Sequence, residues 1–346
     1  MMNKWFPKQA VVPYDPRAKP GQLAFRHYNP DGMIGTLKMS DVLRFSVAAW
    51  HAMCNPLADP FGVGTRPLPW NDHKSPRTAT RQRAEALFEF CGKCRIPFYC
   101  WHNWDLAEQG NNLRQSEKNL DEAAKWLGEF QQQTGISLGW GTSNLFSDPR
   151  YRGGAATSPD PHVFAYAASE VSKMMEVTKL LGGAGYTFWG GREGYDTLVN
   201  THMGFEIDRL GQFLNMAVVH KKDIGANFQF YIEPKRFEPK TEQYDADAAS
   251  CFAFLQRYGL TGHFKLNIEK NHATLAHHTL EHELTYAAHY GILGSVDANT
   301  GNTLLGWDTD QFPTDPAELV LPMLVILGQG GLGTGVFNFD AKLRRE

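Results

Sequence analysis

Eight mostly apolar segments recur along the chain, and stretches with a helical spacing of apolar residues separate them. None of the eight shows a clean alternation of polar and apolar positions, which is typical of strands in a parallel sheet that is covered on both faces. We therefore predict eight strands. They fall at residues 43–51, 97–103, 137–142, 186–191, 228–233, 264–269, 293–298 and 335–340.

The stretches between these segments predict helices, and some have recognisable ends. Their apolar residues follow helical periodicity at residues 77–90, 114–134, 161–181, 203–224 and 244–258. Asp160 and Pro161 form a start signal for the third helix, and Gly182 and Gly183 follow its end. Because strand and helix alternate over one continuous chain, the sequence predicts an α/β fold of the (β/α)8 TIM-barrel type.

A doubly wound dinucleotide-binding fold fits the sequence less well. Such a fold carries a G-x-G-x-x-G motif after its first strand, and this sequence has none there. The glycine-rich residues 328–335 precede a strand, which argues against a phosphate-binding loop. We expect residues 1–40 to form a partly irregular N-terminal extension and residues 41–346 to form the barrel. Since the sequence stops shortly after Asp340, we expect the final barrel helix and a C-terminal arm to be absent.

Four consecutive predicted strands, the fifth to the eighth, each end in a carboxylate. These acids are Glu233, Glu269, Asp297 and Asp340. The carboxyl ends of barrel strands meet at one rim, where the active site of such a barrel lies. One acid at a strand end is typical of a helix cap or a turn, but four in succession are better explained as a metal site.

Three residues in nearby loops extend this acidic rim: His272, Asp308 and Asp310. Alternate side chains of an extended chain point the same way, so we expect Asp308 and Asp310 to share a direction. Six carboxylates this close together raise one another's pKa, and two divalent cations would neutralise them. Oxygen ligands with a single imidazole favour Mg²⁺ or Mn²⁺, and also admit Co²⁺, over a thiolate-type zinc site.

Other residues at the strand ends suit proton handling or ligand binding. His102 closes the second strand, and the carboxylate of Asp105 would fix its tautomer and raise its basicity; the alternative is a buried, hydrogen-bonded histidine. Lys235 lies two residues beyond Glu233, at the end of the fifth strand. Its ammonium either takes part in a site with the acids or forms an ordinary salt bridge. Trp50 and Trp189, at the ends of the first and fourth strands, either flank a small ligand or pack in the core.

A cysteine motif and a histidine group are better explained by structural roles than by metal binding. Cys91 and Cys94 form a C-x-x-C motif, but the other nearby cysteine, Cys100, belongs to the next strand, so we interpret the motif as a helix end. An odd total of five cysteines also argues against a disulfide framework. A histidine group has spacing that could bind metal, although a solvated helix face is the favoured interpretation. It consists of His277, His278 and His282.

The overall charge excludes some classes of partner. The chain has 34 Lys and Arg against 37 Asp and Glu, a net charge of −3, so it lacks a basic excess for nucleic acid or an anionic membrane. Its N-terminus has neither the apolar stretch nor the cleavage site of a signal peptide. No apolar run approaches the roughly 18 residues that span a bilayer. We expect a soluble, cytoplasmic protein without nucleic acid or membrane partners.

At these residues the sequence resembles xylose isomerase, in the branch of that family with a longer N-terminal extension. The resemblance runs from about residue 23 onward. Its most specific stretches are AFRHYNP at 24–30, WGGREG at 189–194, IEPK at 232–235, NHATL at 271–275 and GWDTDQFP at 306–313.

The resemblance implies two metal sites that share one acid. The first would consist of the four strand-end acids, and the second of Glu269 again with His272, Asp308 and Asp310. These sites would hold Mg²⁺, Mn²⁺ or Co²⁺, with no organic cofactor. The implied reaction interconverts D-xylose and D-xylulose, and also D-glucose and D-fructose, by ring opening and a 1,2-hydride shift.

The resemblance also implies roles for the remaining site residues. His102, oriented by Asp105, would bind the cyclic sugar and assist ring opening, and Lys235 would hydrogen-bond the carbonyl oxygen of the open chain. Family members are homotetramers, so a neighbouring subunit would contribute one of the substrate-binding residues, Phe61. The others would be Trp50, Trp189 and Thr142.

Two residues depart from the family pattern without removing a ligand. The family has His-Asp-x-Asp where this chain has Asn103 after His102, and Arg236 replaces the second proline of Glu-Pro-Lys-Pro. Three alternatives stay open. A metal-dependent sugar epimerase would use one metal and leave Asp308 and Asp310 without a role, and a phosphodiesterase would carry more histidine ligands and a basic groove. An inactive, truncated relative would bind sugar or metal only.

Overall fold

Eight parallel strands close into a barrel in the computed structural model, which describes residues 4–58, 62–71 and 74–342. The strands are β1 (Phe45–Ala48), β2 (Phe98–His102), β3 (Ser137–Thr142), β4 (Gly185–Trp189), β5 (Gln229–Glu233), β6 (Phe264–Glu269), β7 (Leu293–Asp297) and β8 (Phe337–Phe339). Each strand pairs with the next in the chain, and Phe337 of β8 pairs with Phe45 of β1. The predicted (β/α)8 barrel is confirmed.

Helices connect successive strands of the barrel, except that the first helix, Met39–Leu43, precedes β1. Those of the described residues are α1 (Met39–Leu43), α2 (Pro76–Cys94), α3 (Leu113–Thr134), α4 (Pro161–Leu180), α5 (Met203–Asp223), α6 (Ala248–Arg257), α7 (Lys270–Leu275), α8 (Leu280–His289) and α9 (Ala317–Gly328). The start signal predicted for α4 works as expected, because the Asp160 side chain accepts a hydrogen bond from the backbone of His162. No helix of the described residues is long and apolar enough to cross a membrane.

Several predicted boundaries differ from the observed ones, and two of the differences have clear local reasons. The first strand ends at Ala48, because the chain then turns into a π-helical segment, Trp50–Cys54, that directs side chains toward the rim. The helix predicted from residue 244 begins at Ala248. The Asp247 side chain caps it by accepting a hydrogen bond from Ser250, while the carbonyl of Asp245 accepts one from the backbone of Lys235.

The barrel interior is filled by an apolar plug beneath a polar layer. Cys100, Trp140, Tyr231 and Val336 form the plug and are all at least 98% buried. The Tyr231 ring needs glycine neighbours, since a Cβ on Gly185 would lie 2.3 Å from it. Polar side chains of the next layer are fully buried, and the strand-end acids lie above them. The polar layer contains Ser46, Asn267, Ser295 and Asn338.

The N-terminal segment lies against α2. The Glu89 carboxylate accepts hydrogen bonds from the backbone amides of Lys4, Trp5 and Phe6 at 2.9–3.0 Å. Beyond it the described extension is mostly irregular, with one short antiparallel pair, Met33–Ile34 with Leu37–Lys38. In α2 itself, the C-x-x-C motif falls in the last turn, and all five cysteines are free thiols, as the sequence predicts.

Candidate active site

The four strand-end acids converge at the carboxyl rim of the barrel. Each offers an oxygen atom within 4.8 Å of those of the others, and their exposed fractions do not exceed 6%. The convergence follows from the parallel register, in which Glu269 pairs with Asp297 and Trp189 pairs with Glu233. Buried carboxylates at this spacing need nearby positive charge.

Two overlapping clusters complete the acidic rim. Glu233, Glu269 and His272 offer donor atoms within 4.8 Å of one another, and so do Glu269, Asp308 and Asp310. His272 Nε2 lies 3.2 Å from oxygens of both Glu269 and Asp308. Glu269 is therefore common to every acidic cluster at the rim.

The loop after β7 places Asp308 and Asp310 at the rim through a turn, and not through the extended chain that the sequence predicts. The backbone of Asp310 has a φ of 44°, in the left-handed region, and its amide donates to Asp308 Oδ1 at 3.3 Å. An antiparallel bridge between Thr300 and Gln311 holds this loop. The two side chains reach one cluster through a turn, because asparagine and aspartate tolerate left-handed backbone better than other residues with a Cβ.

Burial and mutual repulsion perturb these carboxyls strongly. Burial raises the pKa of Glu233, Glu269 and Asp297 well above the usual range, and the neighbouring acids raise each pKa further. Burial also acts to raise the pKa of Asp308, but hydrogen bonding by His272 and the charge of Lys235 outweigh it and hold that pKa well below its usual range. The rim therefore favours a bound cation.

Buried amides orient the acids from below. Asn267 Nδ2 donates to Glu233 at 2.8 Å and to Asp297 at 2.9 Å, and Asn338 Nδ2 donates to Asp297 at 2.9 Å. Asn299 Nδ2 donates to Glu269 at 2.7 Å. These amides fix the carboxylate oxygens in place.

Sequence reasoning missed this layer, although it leaves a signal. Asn267 and Asn338 each precede a strand-end acid by two residues and so face the barrel interior with it.

The predicted histidine and its carboxylate partner lie together at the end of β2. His102 Nδ1 is 3.2 Å from Asp105 Oδ2, and the same oxygen accepts the backbone amide of His102 at 2.6 Å. Both residues are 8% exposed. The Trp50 ring lies edge-on to the imidazole, with centroids 4.6 Å apart. An imidazole in this setting has a fixed tautomer and a dry environment.

Lys235 lies between the acids and an aromatic wall. Its Nζ is 2.8 Å from Asp308 Oδ2, 3.6 Å from Glu238 and 5.4 Å from the centre of a Trp189 ring. Burial acts to lower the pKa of Lys235, but Asp308 and Glu269 outweigh it and raise that pKa. The ammonium is therefore charged and aimed into the site.

A cavity of about 190 Å³ lies between the acids and the aromatic residues. Trp50, Trp189 and Thr142 line it, and so does Phe146, which sequence reasoning missed. The Phe146 and Trp189 rings meet edge to face, with centroids 4.6 Å apart. Phe61, the residue predicted to come from a neighbouring subunit, lies outside the described residues.

Two further cations at the rim were not predicted. His51 Nε2 lies 2.9 Å from Asp340 and 3.4 Å from Asp310, and burial, which acts to lower its pKa, is outweighed by these acids, so that the pKa rises to about 10. Lys342 Nζ lies 2.8 Å from Asp310. Trp50, expected only as a wall, also donates its indole N–H to Asp340 at 2.7 Å.

The donor set fits divalent cations. Six carboxylates, five of them buried, outnumber the nearby Lys235, His51 and Lys342, so the protein alone does not balance their charge. The one imidazole among these donors, that of His272, is buried and has its Nε2 3.2 Å from oxygens of Glu269 and Asp308. Oxygen donors with one imidazole suit hard divalent ions.

Curated proteins similar to this chain are named xylose isomerases. The chain is 53% identical over 341 residues to the xylose isomerase of Rhodopirellula baltica, 52% identical over 341 residues to that of Geobacillus kaustophilus and 49% identical over 344 residues to that of Thermotoga maritima. These matches cover 99% of this chain and 76–78% of the relatives. No family model matches the sequence.

Solved structures with the same fold are much more distant in sequence. A D-psicose 3-epimerase from Clostridium cellulolyticum superposes with a TM-score of 0.61 at 12% identity, covering 87% of this chain and 86% of its own. The E. coli 3-keto-D-glucoside 4-epimerase reaches 0.58 at 10% identity, covering 88% and 94%. These likenesses concern the fold alone. With about half of its residues shared with curated relatives over nearly its whole length, the chain belongs to the xylose isomerase family.

Proposed function

We propose that the chain is a metal-dependent aldose–ketose isomerase that interconverts D-xylose and D-xylulose, and also D-glucose and D-fructose. The observation that carries the proposal is the position of Glu269, which belongs to every acidic cluster at the rim. Family membership supports the same conclusion. A carboxylate shared in this way is what two adjacent cations need.

The two sets of ligands follow from the clusters. Glu233, Glu269, Asp297 and Asp340 would hold one divalent cation. The cluster of Glu269, Asp308 and Asp310 would hold the other, together with His272, whose Nε2 lies 3.2 Å from Asp308. When bound, Mg²⁺, Mn²⁺ or Co²⁺ would stabilise the negative charge that develops on the sugar oxygens. This chemistry requires no organic cofactor.

His102 would act on the cyclic sugar. With Nδ1 held by Asp105, its Nε2 is free to accept the proton of the anomeric hydroxyl and return one to the ring oxygen as the ring opens. Asp105 would hold the imidazole in the orientation that this step requires, because its Oδ2 lies 3.2 Å from Nδ1.

Lys235 would bind the carbonyl oxygen of the open chain. Its charged Nζ lines the cavity and lies next to Asp308, so a hydrogen bond to that oxygen draws electron density from the carbonyl carbon. The hydrogen then moves between C1 and C2 of the sugar. Trp50, Phe146 and Trp189 exclude water from that space, which favours transfer as hydride over exchange with solvent protons.

The proposal also includes the other predicted substrate-binding residues, the oligomeric state and the cellular location. Thr142 is buried at the end of β3 and lines the cavity, in a position to bind a sugar hydroxyl. Phe61 of a neighbouring subunit would complete the wall in a homotetramer, and the enzyme would work in the cytoplasm. Asp308 and Asp310 support the isomerase over a one-metal epimerase, because both contribute to a cluster with Glu269.

The direct test is xylulose formation from xylose by the purified chain. We expect activity with Mg²⁺, Mn²⁺ or Co²⁺, none after treatment with a chelator, and recovery when metal is added back. Assays of tagatose or psicose formation from fructose test for an epimerase in parallel. Full turnover in the presence of chelator, or epimerisation without isomerisation, would contradict the proposal.

A further inference from the structure

A second cluster of metal-binding residue types lies at the start of α8. His278, His282 and Glu283 each offer a donor atom within 4.8 Å of the others. None of the three lines the active-site cavity. The sequence favours a solvated helix face here, but one member of the cluster, Glu283, is only 3% exposed. A buried carboxylate at a helix surface calls for a partner.

Glu283 is held rigidly by α6. Its Oε2 accepts the backbone amide of Ala248, the first residue of α6, at 2.7 Å. Its Oε1 lies 2.6 Å from His278 Nδ1. Nδ1 of His278 and Oε1 of Glu283 therefore face each other and share one proton, and a metal ion that binds both atoms would take the place of that proton.

His282 supplies a second imidazole beside the first. The residue is exposed, and its ring centroid lies 4.5 Å from that of His278. Among the residues that the structure describes, no group forms a hydrogen bond with the His282 ring. Its backbone is fixed, because the Thr279 side chain accepts a hydrogen bond from the His282 amide as the cap of α8.

The distances suit a tetrahedral ion. Zinc binds imidazole nitrogen and carboxylate oxygen at about 2.0–2.1 Å, which places neighbouring ligand atoms about 3.3 Å apart. The donor atoms of this cluster already lie within 4.8 Å of one another, and the exposed His282 ring can rotate. The side chain of His278 is 32% exposed, which leaves room for water as a fourth ligand.

We propose that His278, His282 and Glu283 form a second metal site, which binds Zn²⁺ in preference to Mg²⁺. Two imidazoles and one carboxylate are a ligand set that zinc accepts, whereas hard Mg²⁺ requires mostly oxygen. The site differs in this respect from the oxygen-rich rim of the barrel. Because Glu283 also binds the first residue of α6, the ion stabilises the contact between α6 and α8.

The test is a zinc titration of the full chain saturated with Mg²⁺, followed by calorimetry. The comparison uses His282→Ala and His278→Ala, with His289→Ala, an exposed histidine near the end of the same helix, as the control. We expect both cluster variants to lose one zinc equivalent, or to bind it at least about tenfold more weakly, while the control behaves as wild type. Any zinc that enters the active site contributes equally to all four proteins.

Thermal unfolding gives a second measurement that does not depend on activity. Zinc added to the Mg²⁺-saturated protein should raise the Tm of the wild type and the His289→Ala variant more than that of the two cluster variants. Identical zinc stoichiometry and affinity in the wild type and both cluster variants would overturn the proposal, whatever their isomerase activity.

Discussion

Glu269 Oε2 lies 3.2 Å from His272 Nε2, because the strand ends at the glutamate and the helix that follows brings the histidine back over it. Residues three apart at the start of a helix share a face. The pair therefore links the acids at the strand ends to those in the loop after β7. Loss of Glu269 should affect both proposed metal sites together.

Glu269→Gln keeps the shape of the side chain and removes its charge. We expect binding of Mg²⁺ to both sites to weaken and turnover to fall about 100-fold or more, since a bridging ligand is lost. The metal-free variant should be at least as stable as the metal-free wild type, because burial and nearby acids disfavour the charge. Calorimetry and thermal unfolding measure the two effects, with Glu281→Gln as control. Normal binding of two ions would contradict the bridging role.

Lys235→Met removes the ammonium but keeps a long apolar stem. At saturating metal we expect kcat to fall about 100-fold, with a smaller change in KM, if Lys235 acts on the carbonyl oxygen in the transition state. The control is Lys240→Met on the same loop, whose ammonium pairs with Asp196 at 3.1 Å and does not line the cavity. Initial rates of xylulose formation distinguish them. Unchanged turnover in the Lys235 variant would remove the residue from the mechanism.

His102→Gln removes proton transfer and retains hydrogen bonding. We expect turnover to fall about 100-fold, because the protein then lacks the group that handles the proton during ring opening. Asp105→Asn should lower turnover less, because the amide orients the imidazole less firmly than the carboxylate 3.2 Å from Nδ1 does. His162→Gln, at the start of α4, is the control. Equal turnover in the wild type and Asp105→Asn would argue against the proposed role of that carboxylate.

The acids could be predicted from the sequence, whereas the groups that hold them could not. A strand end in a parallel barrel always lies at the rim, so Glu233 and Asp340 follow from local sequence alone. His51 reaches Asp340 only because a π-helical turn follows β1, and nothing in the apolar run of residues 43–51 indicates that turn. Phe146 and Lys342 also come from irregular segments, whose paths depend on tertiary packing.

Asp245 makes the stability of the protein depend on pH. Burial raises its pKa from the ordinary 3.8 to about 7, with a further contribution from Glu193, and its Oδ1 has no hydrogen-bond partner among the described residues. Its folded-state pKa is raised, so its contribution to stability is fully present below about pH 4 and is lost as the pH rises through about 7.

Asp245→Asn imitates the protonated acid and should remove that loss. At pH 8 we expect the variant to be more stable than the wild type, by up to about 4 kcal/mol for a pKa change from 3.8 to about 7, and the difference should shrink toward pH 5. Urea unfolding at pH 5, 6.5 and 8 measures it, with the exposed Asp223→Asn as control. A difference that is constant with pH would show that titration of Asp245 is not its cause.

Asn267 offers the most direct test of the buried amide layer. One Nδ2 group donates to Glu233 and Asp297 at 2.8 and 2.9 Å, so it sets the positions of two proposed ligands without reaching the cavity. Asn267→Leu keeps the volume but removes both donors. We expect its affinity for Mg²⁺ to fall about 10–100-fold, while kcat at saturating metal stays near that of the wild type.

Asn267→Asp separates positioning from charge. It adds a carboxylate to a fully buried position beneath two others, so the metal-free variant should unfold at a lower temperature than the leucine variant. Asn215→Leu, whose amide donates to Gly211 within α5, is the control for loss of a hydrogen bond elsewhere. Activity measured against Mg²⁺ concentration gives both kcat at saturating metal and the Mg²⁺ concentration at half-activation. If Asn267→Leu lowers kcat at saturating metal but leaves the activation midpoint unchanged, the amide acts on the reaction itself and not on the placement of the ligands.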